Sequence, residues 1–267
     1  MKILYFGDIM ASPGRAVMRV MVPELRKELG ADIVVAQAEN VSHGKSMSPA
    51  HMKELQGYGI DFFTGGNHTP ERPDIHPFLT DSAQPVIAPV NMDAHPDRWG
   101  VKMLKTAAGN ILFVSLLGQT VPKSPPMSNP LRVMDSILAQ HKLKDYAAIV
   151  VNFHGDYSSE KRVVGYYLDG QVSAVIGDHW HVPTADAMVL PHGTAHITDV
   201  GMVGTLHSSL GVELKQIFKR WHDEVLTSNT IEEMPPFQCN AVLIDIDADT
   251  HLAKSIAPVN KVIEKLT

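Results

Sequence analysis

The feature that most constrains this chain is an alternation of short apolar runs with segments of helical periodicity. "KILYF" (2–6) reads as a buried strand. "GRAVMRVMVPELRKEL" (14–29) reads as a helix, with Val17, Val20 and Met21 on one face and Arg15, Arg19 and Lys27 towards the other. A second strand, "DIVVAQ" (32–37), precedes "SPAHMKELQGYG" (48–59), a short helix with Ser48 as N-cap, Pro49 at its first position and glycine near its end. "IDFFTGG" (60–66) is a third strand. The order β–α–β–α–β predicts a parallel sheet joined by right-handed crossovers. Further strands are expected at "GVKMLKT" (100–106), "NILFVSL" (110–116), "YAAIVVNF" (146–153), "VSAVIG" (172–177), "AMVLP" (187–191), "TAHIT" (194–198) and "NAVLIDID" (240–247). The first two of these form a hairpin around "AAGN" (107–110). Helices are expected over 130–141, 158–166 and 211–222, and polar connections at "TVPKSPPMSNP" (120–130) and "SNTIEEMPPFQ" (228–238). No internal repeat or low-complexity tract divides residues 1–267, which read as one α/β domain.

Polar residues gather where these strands end. Gly7-Asp8 follows the first, Glu39-Asn40 the second, and Asn67-His68 the third. His154 follows "AAIVVNF", and His179-Trp180-His181 follows "VSAVIGD". In open α/β sheets ligands bind beyond the carboxyl ends of the strands. Five strands thus bring two carboxylates, two amides and four imidazoles to one edge. His179 and His181 are two apart, so an extended segment would point both to the same side. Oxygen and imidazole donors without thiolate suit Mn²⁺, Fe²⁺ or Zn²⁺. The inventory exceeds one ion with an open position, whereas two ions sharing a carboxylate would use it, and Glu39 stands mid-order as the bridge.

Each residue also has a plainer reading. Asp8 can cap the helix that follows, Asn40 and Asn67 can be turn residues, and His154 can be a hydrogen-bonded core histidine. Lys45 and Lys161 are in a position to touch phosphate but read more simply as solvated loop charges, and Thr69 and Glu71 as loop and helix-start residues.

Bulk properties remove several function classes. A net charge of −6 argues against a grip on long nucleic acid, which requires a basic surface. It leaves room for a small phosphorylated substrate if bound cations reverse the charge locally. The single cysteine, Cys239, excludes an internal disulfide framework and thiolate-rich zinc sites. Asp8 interrupts the N-terminal apolar run too early for a signal peptide, and no stretch approaches the ~18 apolar residues of a membrane span. The expected location is therefore cytoplasmic, away from membranes.

In order, "GDIM", "AENVSHG", "GGNHT", "VNFHGDYSSEK", "GDHWHVPTAD" and "TAHITDVGM" resemble the motifs of the calcineurin-like metallophosphoesterases. More closely they resemble the bacterial YmdB-like branch, described as cyclic nucleotide phosphodiesterases. The resemblance runs from residue 3 to about residue 205, and residues from 223 onward match it less well. It implies a four-layer α/β/β/α sandwich and a dinuclear centre of manganese or iron, with zinc as a third candidate. One ion would be held by Asp8, Glu39, Asn40 and His181, the other by Glu39, Asn67, His154 and His179. Asn40 stands where many relatives use a histidine in the first motif, which is itself a mark of this branch. His68, directly after Asn67, would be the general acid or transition-state stabiliser. Departures occur at Asp178 and Trp180, where the branch usually has threonines, in the loop bearing His43 and Lys45, and at His196, where it usually has an aromatic residue.

The function these readings predict is hydrolysis of 2′,3′- or 3′,5′-cyclic nucleotides by a hydroxide shared between the ions. The alternatives are a phosphomonoesterase or 5′-nucleotidase with the same metals, and a regulatory metal-binding protein acting through partners. His43 and His207 are candidates for substrate contact. The oligomeric state stays open, a homo-oligomer included.

Overall fold

The computed structural model describes residues 1–96, 99–122 and 124–266; Lys123, in the expected 120–130 connection, lies outside them. Two sheets stack face to face with helices outside both, giving the four-layer α/β/β/α sandwich.

The first layer interface follows from residue alternation. Strand β1 (Lys2–Phe6) turns Leu4 and Phe6 outward to helix α1 (Ala11–Leu29), and Ile3 and Tyr5 inward to the second sheet. Strands β3 (Ile33–Gln37) and β4 (Phe62–Thr64) repeat the pattern, with Val34, Ala36 and Phe63 outward and Val35 and Phe62 inward. Helix α1 covers the outer face with Val17, Met18, Met21, Val22 and Leu25, and helix α2 (Pro49–Gly57) adds Met52 and Leu55. Burying one such side chain contributes roughly 1.5–3 kcal/mol before entropy is counted. The Ser48 cap forms as expected, its hydroxyl accepting from His51 N at 3.2 Å.

The second sheet begins with the hairpin of β5 (Val101–Thr106) and β6 (Gly109–Leu117), closed by Ala107 and Ala108. It continues through β7 (Ala148–His154) and β8 (Ala174–Asp178), both parallel to β6. Two short strands, β9 (Met188–Val189) and β10 (Ala195–Ile197), complete it. Phe62 and Phe113 stack across the two sheets with ring centroids 4.0 Å apart. Helices α4 (Pro130–Gln140) and α5 (Ser158–Tyr167) pack on the outer face through Met134, Ile137 and Val164. Between β4 and β5 the described residues form two short 3-10 turns (Thr69–Glu71 and Pro73–Ile75) and the short helix α3 (His76–Thr80).

Three expectations need correction. The β1–β3–β4 run is parallel, but the sheet is mixed, because β12 (Phe237–Ile246) pairs antiparallel with β1 and with β11 (Met202–Thr205). The chain does not end on one late strand: β12 turns back into β13 (Ala253–Ile263), which carries an interior proline and one exposed side. Helix α1 starts at Ala11, before Gly14, and Met10 precedes it without any side-chain cap, so Asp8 is not its cap. Asp8 instead begins a two-residue strand, β2 (Asp8–Ile9), beside β11. The expected 211–222 helix is α6 (Leu214–His222). Among the described residues no helix is long and apolar enough to cross a membrane.

Candidate metal centre

The ends of β1, β3, β4, β7 and β8 converge on one edge, where the sandwich joins. Two groups of donors form there. In the first, Asn40 Nδ2 donates to Asp8 Oδ1 at 2.9 Å and lies 3.2 Å from His181 Nε2, which is 3.3 Å from Asp8 Oδ2. In the second, Glu39, His154 and His179 each offer a ligand atom within 4.8 Å of the other two. His154 Nε2 is 3.1 Å from Glu39 Oε1, and the rings of His154 and His179 meet edge to face at 4.6 Å. Asn40 is thus both a turn residue and a member of the cluster: its carbonyl accepts from Ala11 N and Gly44 N while its side chain reaches Asp8.

Backbone geometry serves this convergence. His179 and His181 have φ of 110° and 62°, conformations L residues seldom adopt outside functional sites. The two imidazoles therefore do not share a face as an extended segment would require; they part towards different groups, His179 to His154 and His181 to Asp8. Gly66 is required by contact. A Cβ there would lie 2.5 Å from Glu39 Oε2 and nearer still to His154 Cγ.

Burial sets the electrostatics. Desolvation pushes His154 down to about 3 and His179 down to about 3, so both imidazoles are neutral with a free lone pair at pH 7. Desolvation, and then the charge of Asp8, push Glu39 well above the usual carboxylate range. Burial works against Asp8 as well, but the neighbouring His181 outweighs it and holds Asp8 below its usual value. Four buried atoms in the cluster have no hydrogen-bond partner: Asp8 Oδ2, Asn67 Oδ1, His154 Nε2 and His181 Nδ1. Native proteins rarely leave such atoms unpaired, and a bound ion accounts for lone pairs gathered in this way. Carboxylate, imidazole and the unpartnered Asn67 amide oxygen are donors that Mn²⁺, Fe²⁺ or Zn²⁺ would take, so these residues fit the expected metal, whereas Asn40 presents Nδ2 and would ligate through Oδ1 with its amide turned over.

His154 is fully buried but is not the satisfied core histidine of the plainer reading, since only Nδ1 is bonded. Asn67 lies beside Gly66, half-buried, with its carbonyl oxygen unpartnered. His68 sits at the rim, its side chain 34% exposed, with Nδ1 hydrogen-bonded to Glu71. Its backbone N–H donates to Glu39 Oε2 at 2.9 Å. His43 and His207 are exposed on loops.

Sequence reasoning missed several supports. Glu71 is more than a helix-start residue: it joins His68 to Lys45, whose Nζ lies 3.2 Å from Glu71 Oε2. Lys161 is not a solvated loop charge but fully buried, 2.7 Å from Asp199 Oδ2. Its place three residues before Val164 on α5, in the core-facing stripe, was the available signal. Asp178, fully buried, accepts from His154 Nδ1 at 2.6 Å and from Asn152 Nδ2 at 2.5 Å. Gln37 Oε1 accepts from Glu39 N at 2.7 Å. His196 is buried, its Nδ1 3.0 Å from Val175 O and its ring against Gly165, and so is a packing residue.

Comparison with known proteins gives consistent matches over nearly the whole chain. Residues 4–259 match the family model described as YmdB-like protein, well past residue 205, where the motif resemblance ends. A Bacillus subtilis protein named 2′,3′-cyclic-nucleotide 2′-phosphodiesterase is 34% identical over 256 residues, covering 96% of this chain and 95% of the relative. A crystal structure of a hypothetical protein from Thermus thermophilus superposes with a TM-score of 0.89 at 30% identity, covering 98% of this chain and all of that one. A structure titled as a novel phosphatase from Mycoplasma pneumoniae superposes with a TM-score of 0.91 at 27% identity, covering 99% and 94%.

Proposed function

The chain belongs to the YmdB-like family, and from that premise we propose that it is a metal-dependent phosphodiesterase that opens cyclic nucleotides. The observation that carries this reading is the pair of adjoining donor groups, Asp8–Asn40–His181 and Glu39–His154–His179, with buried lone pairs left unpaired in both. We assign one ion to Asp8, Glu39, Asn40 and His181, and a second to Glu39, Asn67, His154 and His179, with Glu39 shared. Manganese or iron is the expected metal, zinc the third choice. When bound, two such ions supply Lewis-acid charge for the phosphoryl oxygens and a water acidic enough to attack at neutral pH.

The remaining work falls to the chain itself. His68 stands at the rim, where a ribose oxygen would leave. Glu71 accepts from its Nδ1–H, which leaves Nε2 as the ring nitrogen that can meet substrate. Protonated at Nε2, His68 delivers a proton to the departing oxygen or stabilises its charge, a contribution typically of about 10²–10⁴-fold. Gln37 Oε1 accepts from the Glu39 backbone N–H and the His68 backbone N–H donates to Glu39 Oε2, so main chain and shared carboxylate are both held before substrate arrives. The small-phosphate substrate class agrees with the name carried by the Bacillus subtilis relative, whose activity is on a 2′,3′-cyclic nucleotide.

The test is hydrolysis of 2′,3′-cyclic AMP by Mn²⁺-loaded protein, with His181→Ala, 3′,5′-cyclic AMP and a phosphomonoester alongside. Turnover of the 2′,3′-cyclic substrate that disappears in the variant is expected. Activity on the monoester alone would replace this reading with a phosphatase, and two bound ions without turnover of any substrate would favour a regulatory role.

A further inference from the structure

Asp178 is not among the proposed ligands, yet it is fully buried at the end of β8, directly beside His154 in the β7–β8 ladder. The contact between them is therefore set by the sheet rather than by a loop. Both carboxylate oxygens are engaged: Oδ1 lies 2.6 Å from His154 Nδ1, and Oδ2 accepts from Asn152 Nδ2 at 2.5 Å. Asn152 is braced in turn by Ser115 Oγ at 3.1 Å. A second group near Nδ1, Gln37 Nε2 at 3.4 Å, is at the outer limit of a hydrogen bond.

A neutral imidazole carries one N–H, and a carboxylate can only accept. The hydrogen of His154 is thereby placed on Nδ1, and the lone pair on Nε2. That lone pair faces Glu39 Oε1 at 3.1 Å, another acceptor. Two acceptors so close repel unless a cation or a proton lies between them. We infer that Asp178 is a positioning residue that locks His154 in the metal-binding tautomer, and so sets the affinity of the ion position formed by Glu39, His154 and His179. This inference rests on the metal reading above and adds the residue that makes its two positions unequal. Asp178 hydrogen-bonds to no donor of the Asp8–Asn40–His181 group, so its positioning effect falls on one position, while its charge, felt also by Asp8 and His181, acts on both.

Asp178→Asn is the sharpest variant. An amide offers one acceptor and one donor to two groups that both donate. Where the amide N–H faces His154, the ring proton moves to Nε2 and blocks the ion. Mn²⁺ is titrated into metal-free wild type and variant, read by calorimetry and by electron paramagnetic resonance. The expected result is a loss of about 10–100-fold in affinity for one ion, with a clearly smaller loss for the other. The signal of a coupled Mn pair should give way to that of an isolated ion. Asp178→Thr, whose hydroxyl can still accept from Nδ1–H, should fall between and serves if the amide variant does not fold. Equal weakening of both ions, or wild-type affinity for both, would overturn the inference, because a general loss of structure has no reason to choose one position. A wild type that takes up a single ion would instead sink the dinuclear reading; the role of Asp178 then stands if Asp178→Asn weakens that ion and falls if it does not.

Discussion

Lys161 Nζ lies 2.7 Å from Asp199 Oδ2, both side chains fully buried, with the Trp180 ring 4.0 Å from the ammonium. The same carboxylate accepts from Trp180 N at 2.9 Å and, through Oδ1, from Gly201 N at 2.9 Å. This pair ties α5 to the backbone between His179 and His181, both of which have positive φ. A strained segment persists only where its surroundings over-determine it, and here Asp199 supplies the restraint.

Removing one partner of such a pair leaves a buried charge uncompensated. Lys161→Met is expected to lose about 3–5 kcal/mol of stability, measured by urea unfolding. The double variant with Asp199→Asn should recover part of that loss, since the stranded charge is gone. A single variant within about 1 kcal/mol of wild type would show that the pair does not hold the loop.

The His68–Glu71–Lys45 chain gives a second expectation. Burial opposes the charge on Glu71, but His68 and Lys45 outweigh it and hold its carboxyl below the usual range. It therefore stays ionised and keeps the Nδ1–H of His68 fixed. His68→Ala should lower kcat by about 10²–10⁴-fold with metal content unchanged. Glu71→Gln keeps an acceptor without the charge and should cost less than His68→Ala. Loss of metal in either variant would make the residue structural rather than chemical.

The proposed ligands were legible because each ends an apolar run, and strand alternation fixes where such ends go. The layers were legible for the same reason: Ile3 and Tyr5 against Leu4 and Phe6 is a two-residue period read directly from sequence. What was hidden depends on distant partners. Lys161 and Asp199 are 38 residues apart, and although the helical stripe turns Lys161 towards the core, nothing local names Asp199 as its partner. Asp178 could be seen as unusual, but its bond to His154 exists only once β7 and β8 pair in register. Strand β13 was hidden because its side chains are mostly exposed and Pro258 interrupts the pattern.

Gly66 makes the crowding of the cluster testable. An alanine Cβ would lie 2.5 Å from Glu39 Oε2 and overlap His154, neither of which is the free end of a flexible chain. Both are buried and held by other contacts, Glu39 Oε2 by the His68 N–H and His154 Nδ1 by Asp178. Overpacking of a fixed site typically costs about 1–3 kcal/mol. Gly66→Ala should lose stability on that scale and bind less metal, by elemental analysis of the purified protein. Gly57→Ala is the control, since a Cβ there meets nothing within 4 Å.

The pH dependence of stability can be read at Asp186, away from the ion positions. Burial raises its pKa, but hydrogen bonds from Thr198 and Thr184 and the Arg162 guanidinium overcome this and hold it at about 2, against 3.8 for a free carboxyl. The folded chain thus binds a proton less readily than the unfolded chain. Stability from Asp186 is fully present above pH 3.8 and is lost as pH falls towards 2. Because the side chain is 26% exposed, solvent screening reduces the contribution to about 1–2 kcal/mol. Asp186→Asn should therefore be less stable than wild type by that amount at pH 7, with the difference shrinking through the window from 3.8 to about 2. Urea unfolding at several pH values reads it, and a gap that stayed constant below about pH 3 would mean that the carboxylate charge contributes nothing.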